Sequence, residues 1–453
     1  MRSVNLALLG AWLSLGCSWS RFDSVTESSP NVLLTRPKAL SSGFGSSLAT
    51  GTVGDQVTLL VGGTPLTTGG AEYSLGTGDS PTLDTSDTGH CSGGDPPTPC
   101  YFSASPVALT RALTPGPTER DLCFVDGAGT APEGPGLVVR CANDVEYKLA
   151  IPKVADKLLE FSIQKNQPTL FRFGADNGEA PAFLATAEEE SAVWYYPSLT
   201  RDFVSLDYPD GGKWPLDPAH VIVRTLAVAR VGDVGRLLAV GSADLAEVRL
   251  FYAEDGVNPS YVGCLGGTAG FGRAFATGPV LKGQKSDDLV ISDASQVFVF
   301  DAEKLSTLLP TDSTDCSLGA LPAGSLVSSF TCGSTKNISG CADSEFGAAL
   351  AVGDLDGDGD GEVVVGAPSM TVRHISRAGA LIIYDVEQPG DEMVKDIAFL
   401  SSADQDDQLG RSIALPNIGA RQIMAAGAPG NSKAALFYCP TFLAPELAGP
   451  RCQ

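Results

Sequence analysis

Several stretches of this chain share one plan. FGSSLATGTVGDQVTLLVGGTP begins at residue 44, FGRAFATGPVLKGQKSDDLVISDA at 271, FGAALAVGDLDGDGDGEVVVGAP at 346 and LGRSIALPNIGARQIMAAGAP at 409. Each opens on an aromatic residue or Leu followed by Gly. A short apolar strand, a turn and a second apolar strand ending on a small residue come next. RTLAVARVGDVGRLLAVGSA at 224 fits the same frame without the opening pair. A fixed unit that cannot bury both of its faces alone must stack on copies of itself, so an internal repeat constrains the fold more than composition does.

Spacing extends the pattern. The small-residue ends fall near Gly62, Gly241, Ser292, Gly366 and Gly427, and the last four are separated by 51, 74 and 61 residues. The first gap, 179 residues, holds three such intervals, so two further units are expected between 66 and 220. LCFVDGAGTAPEGPGLVVRCAN and LFRFGADNGEAPAFLATAEEESAVWYYP are the candidates. Seven units of several short strands each predict an all-β fold, a seven-bladed β-propeller. High glycine and proline (52 and 30 residues) and only 18% charged residues agree with many short strands joined by turns.

The units resemble FG-GAP repeats, found in the propeller of integrin α chains and in many secreted bacterial proteins. The resemblance is clear for the units at 346 and 409, fair at 44, 224 and 271, and poor between 100 and 200. Residues 77–118 are rich in Ser, Thr, Gly and Pro and include CSGGDPPTPC; they are expected to form a long surface insertion pinned by a disulfide, without a blade strand. Closing a propeller requires its ends to meet. Residues 31–35, NVLLT, are expected to supply the outer strand of the last blade beside residues 434–439.

The unit at 346 carries the strongest chemical signal. With Asp354 as position 1, Asp356, Asp358, Asp360 and Glu362 fall at positions 3, 5, 7 and 9. Alternate carboxylates on a tight turn converge on one cation, and Ca2+ takes six to eight oxygens. Val365 stands where an EF-hand has its Glu, and both flanks read as strands, which excludes that motif. The resemblance implies instead the β-hairpin calcium loop of FG-GAP blades, with the carboxylates of Asp354, Asp356, Asp358 and Glu362 and the carbonyl of Asp360 as ligands. A solvated acidic turn is the alternative, but five crowded carboxylates without a cation repel one another by several kcal/mol. Mg2+ is a weaker candidate because it demands stricter octahedral geometry. The other units lack the run of acids, so one structural Ca2+ is expected; the unit at 271 keeps only Asp287 and Asp288.

The first residues have the form of a secretory signal: Arg2, an apolar run from Leu6 to Leu15, then Gly16-Cys17. LSLGC resembles a bacterial lipobox, which would place a lipid on Cys17; an ordinary signal peptide is the alternative. The expected organisation is a signal over 1–17, a flexible tether over 18–30 and the propeller over 31–453. Of the 11 cysteines, ten remain once Cys17 is set aside. Their order suggests local pairs: Cys91 with Cys100, Cys123 with Cys141, Cys264 with Cys316, Cys332 with Cys341, and Cys439 with Cys452. Sequence alone leaves the connectivity open.

A formal net charge of −23, with scattered Lys and Arg, argues against nucleic acid as a partner. The three histidines, His90, His220 and His374, pair with no Ser or Cys at a recognisable spacing, and no G-x-S-x-G elbow occurs. No catalytic constellation is recognisable, and no enzymatic activity is expected. Tyr208 and Trp214 could stack on a sugar but are expected to cover a blade edge. The function expected is that of a lipid-anchored binding, adhesion or assembly scaffold in the bacterial cell envelope, at the outer membrane or else secreted, with a protein or glycan surface as partner. A polysaccharide-active hydrolase or lyase is the second reading.

Overall fold

The computed structural model describes residues 225–438 except 255–256, 309–315, 317–320, 333–340, 342, 387, 391–392 and 419–420. Between 26 and 205 it describes the strands named below, the short pair Lys153–Val154 and Lys157–Leu158, and residues 36 and 43–46. Cys17, Cys91, Cys100, Cys439, Cys452, His90, His220, Tyr208 and Trp214 lie outside the described residues.

Among the described residues, antiparallel sheets follow one another along the chain, each built mainly from four successive strands. Sheet A comprises Ser47–Val53, Gln56–Gly62, Gly70–Leu75 and Thr82–Leu83. Sheet B comprises Leu109–Thr110, Cys123–Ala131, Gly134–Cys141 and Val145–Ala150, and sheet C Thr169–Arg172, Ala182–Thr186, Ala192–Tyr196 and Val204–Ser205. Sheet D comprises Thr225–Val231, Gly235–Ser242, Glu247–Glu254 and Ser260–Gly266. Sheet E comprises Phe275–Gly278, Asp288–Ser292, Gln296–Asp301 and Leu326–Thr331. Sheet F comprises Leu350–Gly353, Glu362–Ala367, Ala380–Asp385 and Met393–Ala398. Sheet G joins Ser412–Ala414, Met424–Ala428 and Lys433–Phe437 to Val32–Thr35 from the other end of the chain.

That last strand pairs antiparallel to Lys433–Phe437, with Val32 opposite Leu436 and Thr35 opposite Lys433, as the sequence reading expected of residues 31–35. The first strand of each sheet lies against the first strand of the next, from A through G, and that of G lies against that of A.

The core is a set of layers between sheets. Leu289 and Ile291 pack with Phe271 and Phe300 in a layer shared by sheets D and E, while Val290 points the other way, into a layer shared by E and F. Val363 and Val365 enter that same E–F layer, and Val364 enters the F–G layer with Ile383 and Met424. Successive side chains of a strand point to opposite faces. A middle strand covered on both faces therefore reads as an unbroken apolar run, which is why EVVVGA and DLVIS do not alternate. A fourth layer, with Leu59, Val61, Ile423, Leu436 and Leu34, joins sheets G and A.

The opening pair of each unit has a definite task. Phe44, Phe271, Phe346 and Leu409 are buried in these layers. The glycine that follows has φ between 82° and 94° in all four units. Its N–H donates to the carbonyl of the small residue ending the second strand: Gly45 to Gly62 at 2.9 Å, and Gly272 to Ser292, Gly347 to Gly366 and Gly410 to Gly427 at 3.0 Å. Its own carbonyl turns to the preceding sheet. Ser292 Oγ donates to the Gly347 carbonyl at 2.7 Å, and Gly366 lies against the Gly410 carbonyl.

Three expectations need correction. Thr82–Leu83 and Leu109–Thr110 fall inside the stretch 77–118 and are edge members of sheets A and B. Two-residue strands carry no periodicity, and Ser, Thr and Pro around them mask the signal. Thr26–Ser28, placed in the tether, pairs parallel to Asp396–Ala398 at the edge of sheet F. The sequence suggests a positive φ at Gly361, as at Gly357 and Gly359, to turn the acidic loop; Gly361 does not take one, and is small because a Cβ there would come within 2.6 Å of the Pro279 carbonyl.

Disulfides join Cys264 to Cys316 and Cys332 to Cys341. In sheet B, Cys123 stands opposite Cys141 in the antiparallel register.

Candidate metal centre

Leu350–Gly353 and Glu362–Ala367 form a hairpin with Gly353 opposite Glu362. The eight residues between them are the acidic loop, and Gly357 and Gly359, at φ 84° and 96°, supply its reversals. Short hydrogen bonds shape the turn. Asp354 Oδ1 accepts from the Gly357 N–H at 2.6 Å, Asp356 Oδ1 from Asp358 N–H at 3.2 Å, and Asp358 Oδ1 from Asp360 N–H at 3.2 Å. Aspartate side chains that close turns on their own backbone leave their second oxygens pointing away from it.

The loop brings three of the five expected ligands together. A carboxylate oxygen from each of Asp354, Asp356 and Glu362 lies within 4.8 Å of the others. The carboxylates of Asp358 and Asp360 are not in that group. Asp358 is held below the usual carboxylate range, first by a hydrogen bond with Asp360. Asp360 is pushed up to about 6 by burial and by its Asp358 neighbour. Asp360 Oδ1 is buried with no hydrogen-bond partner.

Glu362 is 2% exposed, and burial pushes its carboxyl up to about 7 against the pull of Lys395. Its Oε2 accepts from the Leu355 N–H at 2.7 Å, which ties the loop back to the second strand. Burial also raises Asp354. From sheet E, Lys282 Nζ donates to the Asp358 carbonyl at 2.7 Å.

Two further residues belong to the site. Lys395, from the fourth strand of sheet F, places Nζ 2.5 Å from Asp356 Oδ2, 2.9 Å from Glu362 Oε1 and 3.0 Å from Asp385 Oδ2. Burial alone would lower this ammonium, but the hydrogen bonds to Asp356 and Glu362 outweigh it and keep Lys395 charged well above its ordinary range. Asp385 ends the strand Ala380–Asp385, one step beyond the Val363–Tyr384 pair, which brings it beside Glu362. Neither residue was legible, because the site is assembled across strands and the motif is local. Asp385 could have been found by aligning the hairpin with the third strand of its unit.

The neighbouring hairpin of sheet E has the same frame with fewer acids. Asp288 stands opposite Gly278 as Glu362 stands opposite Gly353, and its Oδ2 accepts from the Val280 N–H at 3.0 Å. Asp287 turns instead to sheet D, where it accepts from the Arg230 N–H at 2.8 Å. The loop between them offers Lys282 and Lys285 where sheet F offers aspartates.

The donors of the sheet F loop are all hard oxygens, and the orphaned Asp360 oxygen marks a polar group without a protein partner. Residues of this kind suit a hard divalent cation such as Ca2+. Cys264, Cys316 and Glu247 also approach one another, but the two sulfurs are joined to each other as a disulfide. His374 is exposed in a turn of sheet F at φ 71°.

The sequence over residues 346–384 matches the model of the FG-GAP repeat. No curated protein matches the chain. Among solved structures, BBS1N in complex with ARL6DN, soaked with lead, is 10% identical, with a TM-score of 0.50 over 91% of this chain and 97% of that one. The mercury-soaked form of the same complex is 11% identical, with a TM-score of 0.49 over 91% of this chain and 96% of that one. The first of these likenesses shows a shared fold. The hairpin, its acidic loop and the strand that ends on Asp385 thus lie within or at the border of one sequence unit, and this chain carries an FG-GAP repeat.

Proposed function

We propose that the chain is a binding scaffold: a seven-bladed FG-GAP propeller with one Ca2+ on the loop 354–362. The observation that carries the ring is the meeting of sheets G and A, made by the Val32–Thr35 strand and by the packing of Gly427 on Gly45. The order of contacts between first strands supports seven blades. The ion would be held by Asp354, Asp356 and Glu362, with Asp358 and the Asp360 carbonyl as the remaining expected donors. Ca2+ there supplies charge neutralisation, and so clamps one hairpin; it takes part in no reaction.

The partner we propose is a protein. One solved structure that shares this fold is itself a complex with a protein, ARL6DN. The proposed location is the bacterial cell envelope, with a lipid on Cys17; its support is the leader-like sequence over residues 1–17. Affinity capture of the native protein from its own envelope, with and without chelator, tests the binding reading. A protein recovered in stoichiometric amount with the wild type is expected. Recovery identical to that from an untagged control strain would refute it.

A further inference from the structure

Sheets D, E and F share an irregularity between their third and fourth strands. In sheet D the register steps from Leu250–Gly263 to Phe251–Tyr261, leaving Val262 as the extra residue. In sheet E it steps from Val299–Ser328 to Phe300–Leu326, leaving Val327. In sheet F it steps from Ile383–Asp396 to Tyr384–Val394, leaving Lys395. A β-bulge of this kind re-aims the side chain of its extra residue. Val262 and Val327 are buried and pack in the D–E and E–F layers. The same position in sheet F delivers an ammonium into the acidic loop.

That ammonium sits on two of the three gathered carboxylates, Asp356 and Glu362, and on Asp385 behind them. An ammonium on these oxygens occupies lone pairs that a metal ion would otherwise use. A lysine and a divalent cation on the same oxygens also repel each other.

We propose that Lys395 is a tethered competitor of the divalent cation. It neutralises Asp356 and Glu362 when no ion is bound, withdraws when the ion binds, and so sets the affinity of the loop. This inference rests on the calcium reading of the loop. The exchange costs the ion the free energy of the lysine contacts, so Lys395 lowers affinity while keeping the metal-free hairpin in place.

The test uses the full chain with Lys395→Val, the residue that sheets D and E carry at this bulge, and Lys395→Arg, which keeps the charge. Calorimetric titration with CaCl2 and thermal unfolding in chelator are measured for both and for the wild type. Lys395→Val is expected to bind calcium about tenfold more tightly or better, within the range usual for coupled ligands. Its Tm in chelator is expected to fall, while its Tm in saturating calcium stays near that of the wild type. Lys395→Arg should bind as weakly as the wild type. Should the valine variant fold only in calcium, that supports the proposal too. Equal or weaker calcium affinity in Lys395→Val overturns it while leaving the calcium site intact. Silent titrations in all three proteins overturn the site itself, and a lowered Tm of Lys395→Val in chelator would then report a purely structural ion pair.

Discussion

A Cβ built on Gly427 would lie 1.8 Å from the carbonyl oxygen of Gly45. The two residues stand near opposite ends of the chain, and their contact repeats one made inside it. Gly241 meets the carbonyl of Gly272 and Gly366 that of Gly410 in the same way. Ser412 Oγ, beside Gly427, donates to the same Gly45 carbonyl at 2.8 Å, and Thr225 Oγ1 donates likewise to that of Gly272 at 2.7 Å. The seam between the last and first sheets is therefore built like the joints between consecutive ones.

Gly427→Ala should open that seam. The methyl group meets the Gly45 backbone and the Ser412 hydroxyl that is itself bonded to it, so the cost should reach about 3 kcal/mol or more. Gly390→Ala is the control: its φ is 91° but nothing lies within 4 Å of a Cβ, so only the backbone penalty of about 1–2 kcal/mol applies. Denaturant unfolding of both variants checks the difference; equal losses would mean that the seam is not tightly packed.

The strand from the N-terminal side should contribute through one side chain. Leu34 is buried in the layer between sheets G and A, whereas Leu33 is 37% exposed. Leu34→Ala is expected to cost about 2–3 kcal/mol and Leu33→Ala under about 0.5 kcal/mol. Similar losses measured by thermal unfolding would show that the Val32–Thr35 pairing is not formed in solution.

The two described disulfides should differ in effect. Cys264–Cys316 spans 52 residues and Cys332–Cys341 spans 9. Chain entropy then gives about 4 kcal/mol for the first and about 2.6 kcal/mol for the second. Unfolding of Cys264→Ser/Cys316→Ser and of Cys332→Ser/Cys341→Ser measures both, and the reverse order would contradict the entropic account.

How much of this was legible depended on whether the signal was local. The opening pair, the small residue at the end of the second strand and the acidic run are each contiguous, and they marked the sheet A, E, F and G hairpins. Residues 31–35 could be placed because a ring leaves one strand position vacant. Lys395 and Asp385 come from other strands of sheet F, and a one-residue bulge decides where Lys395 points. No periodicity in MVKDIA announces that bulge. The short strands Thr82–Leu83 and Leu109–Thr110 were lost among turn-forming residues for the same reason: their pairing partners, not their own sequence, make them strands.

Asp288 should make stability fall as pH rises. Burial pushes its carboxyl up to about 7 from an ordinary 3.8. Between those values the folded protein holds a proton that the unfolded chain has released, so the folded state loses ground with rising pH until the folded carboxyl has ionised. Asp288→Asn removes this dependence and should flatten the slope by up to about 1.4 kcal/mol per pH unit between pH 4 and 7. Parallel stability–pH curves for the two proteins would show that Asp288 does not titrate in that window.

The proposed calcium site is tested most directly by thermal unfolding of the wild type and of Asp354→Ala/Asp356→Ala, each with calcium and with chelator. An ion that binds only the folded state stabilises it by about 2.7 kcal/mol at a hundredfold excess over Kd. The wild type should gain that increment on adding calcium and the double variant should gain none, with both proteins still folded. An equal gain in the two proteins, or none in the wild type, would contradict the assignment of the ion to this loop.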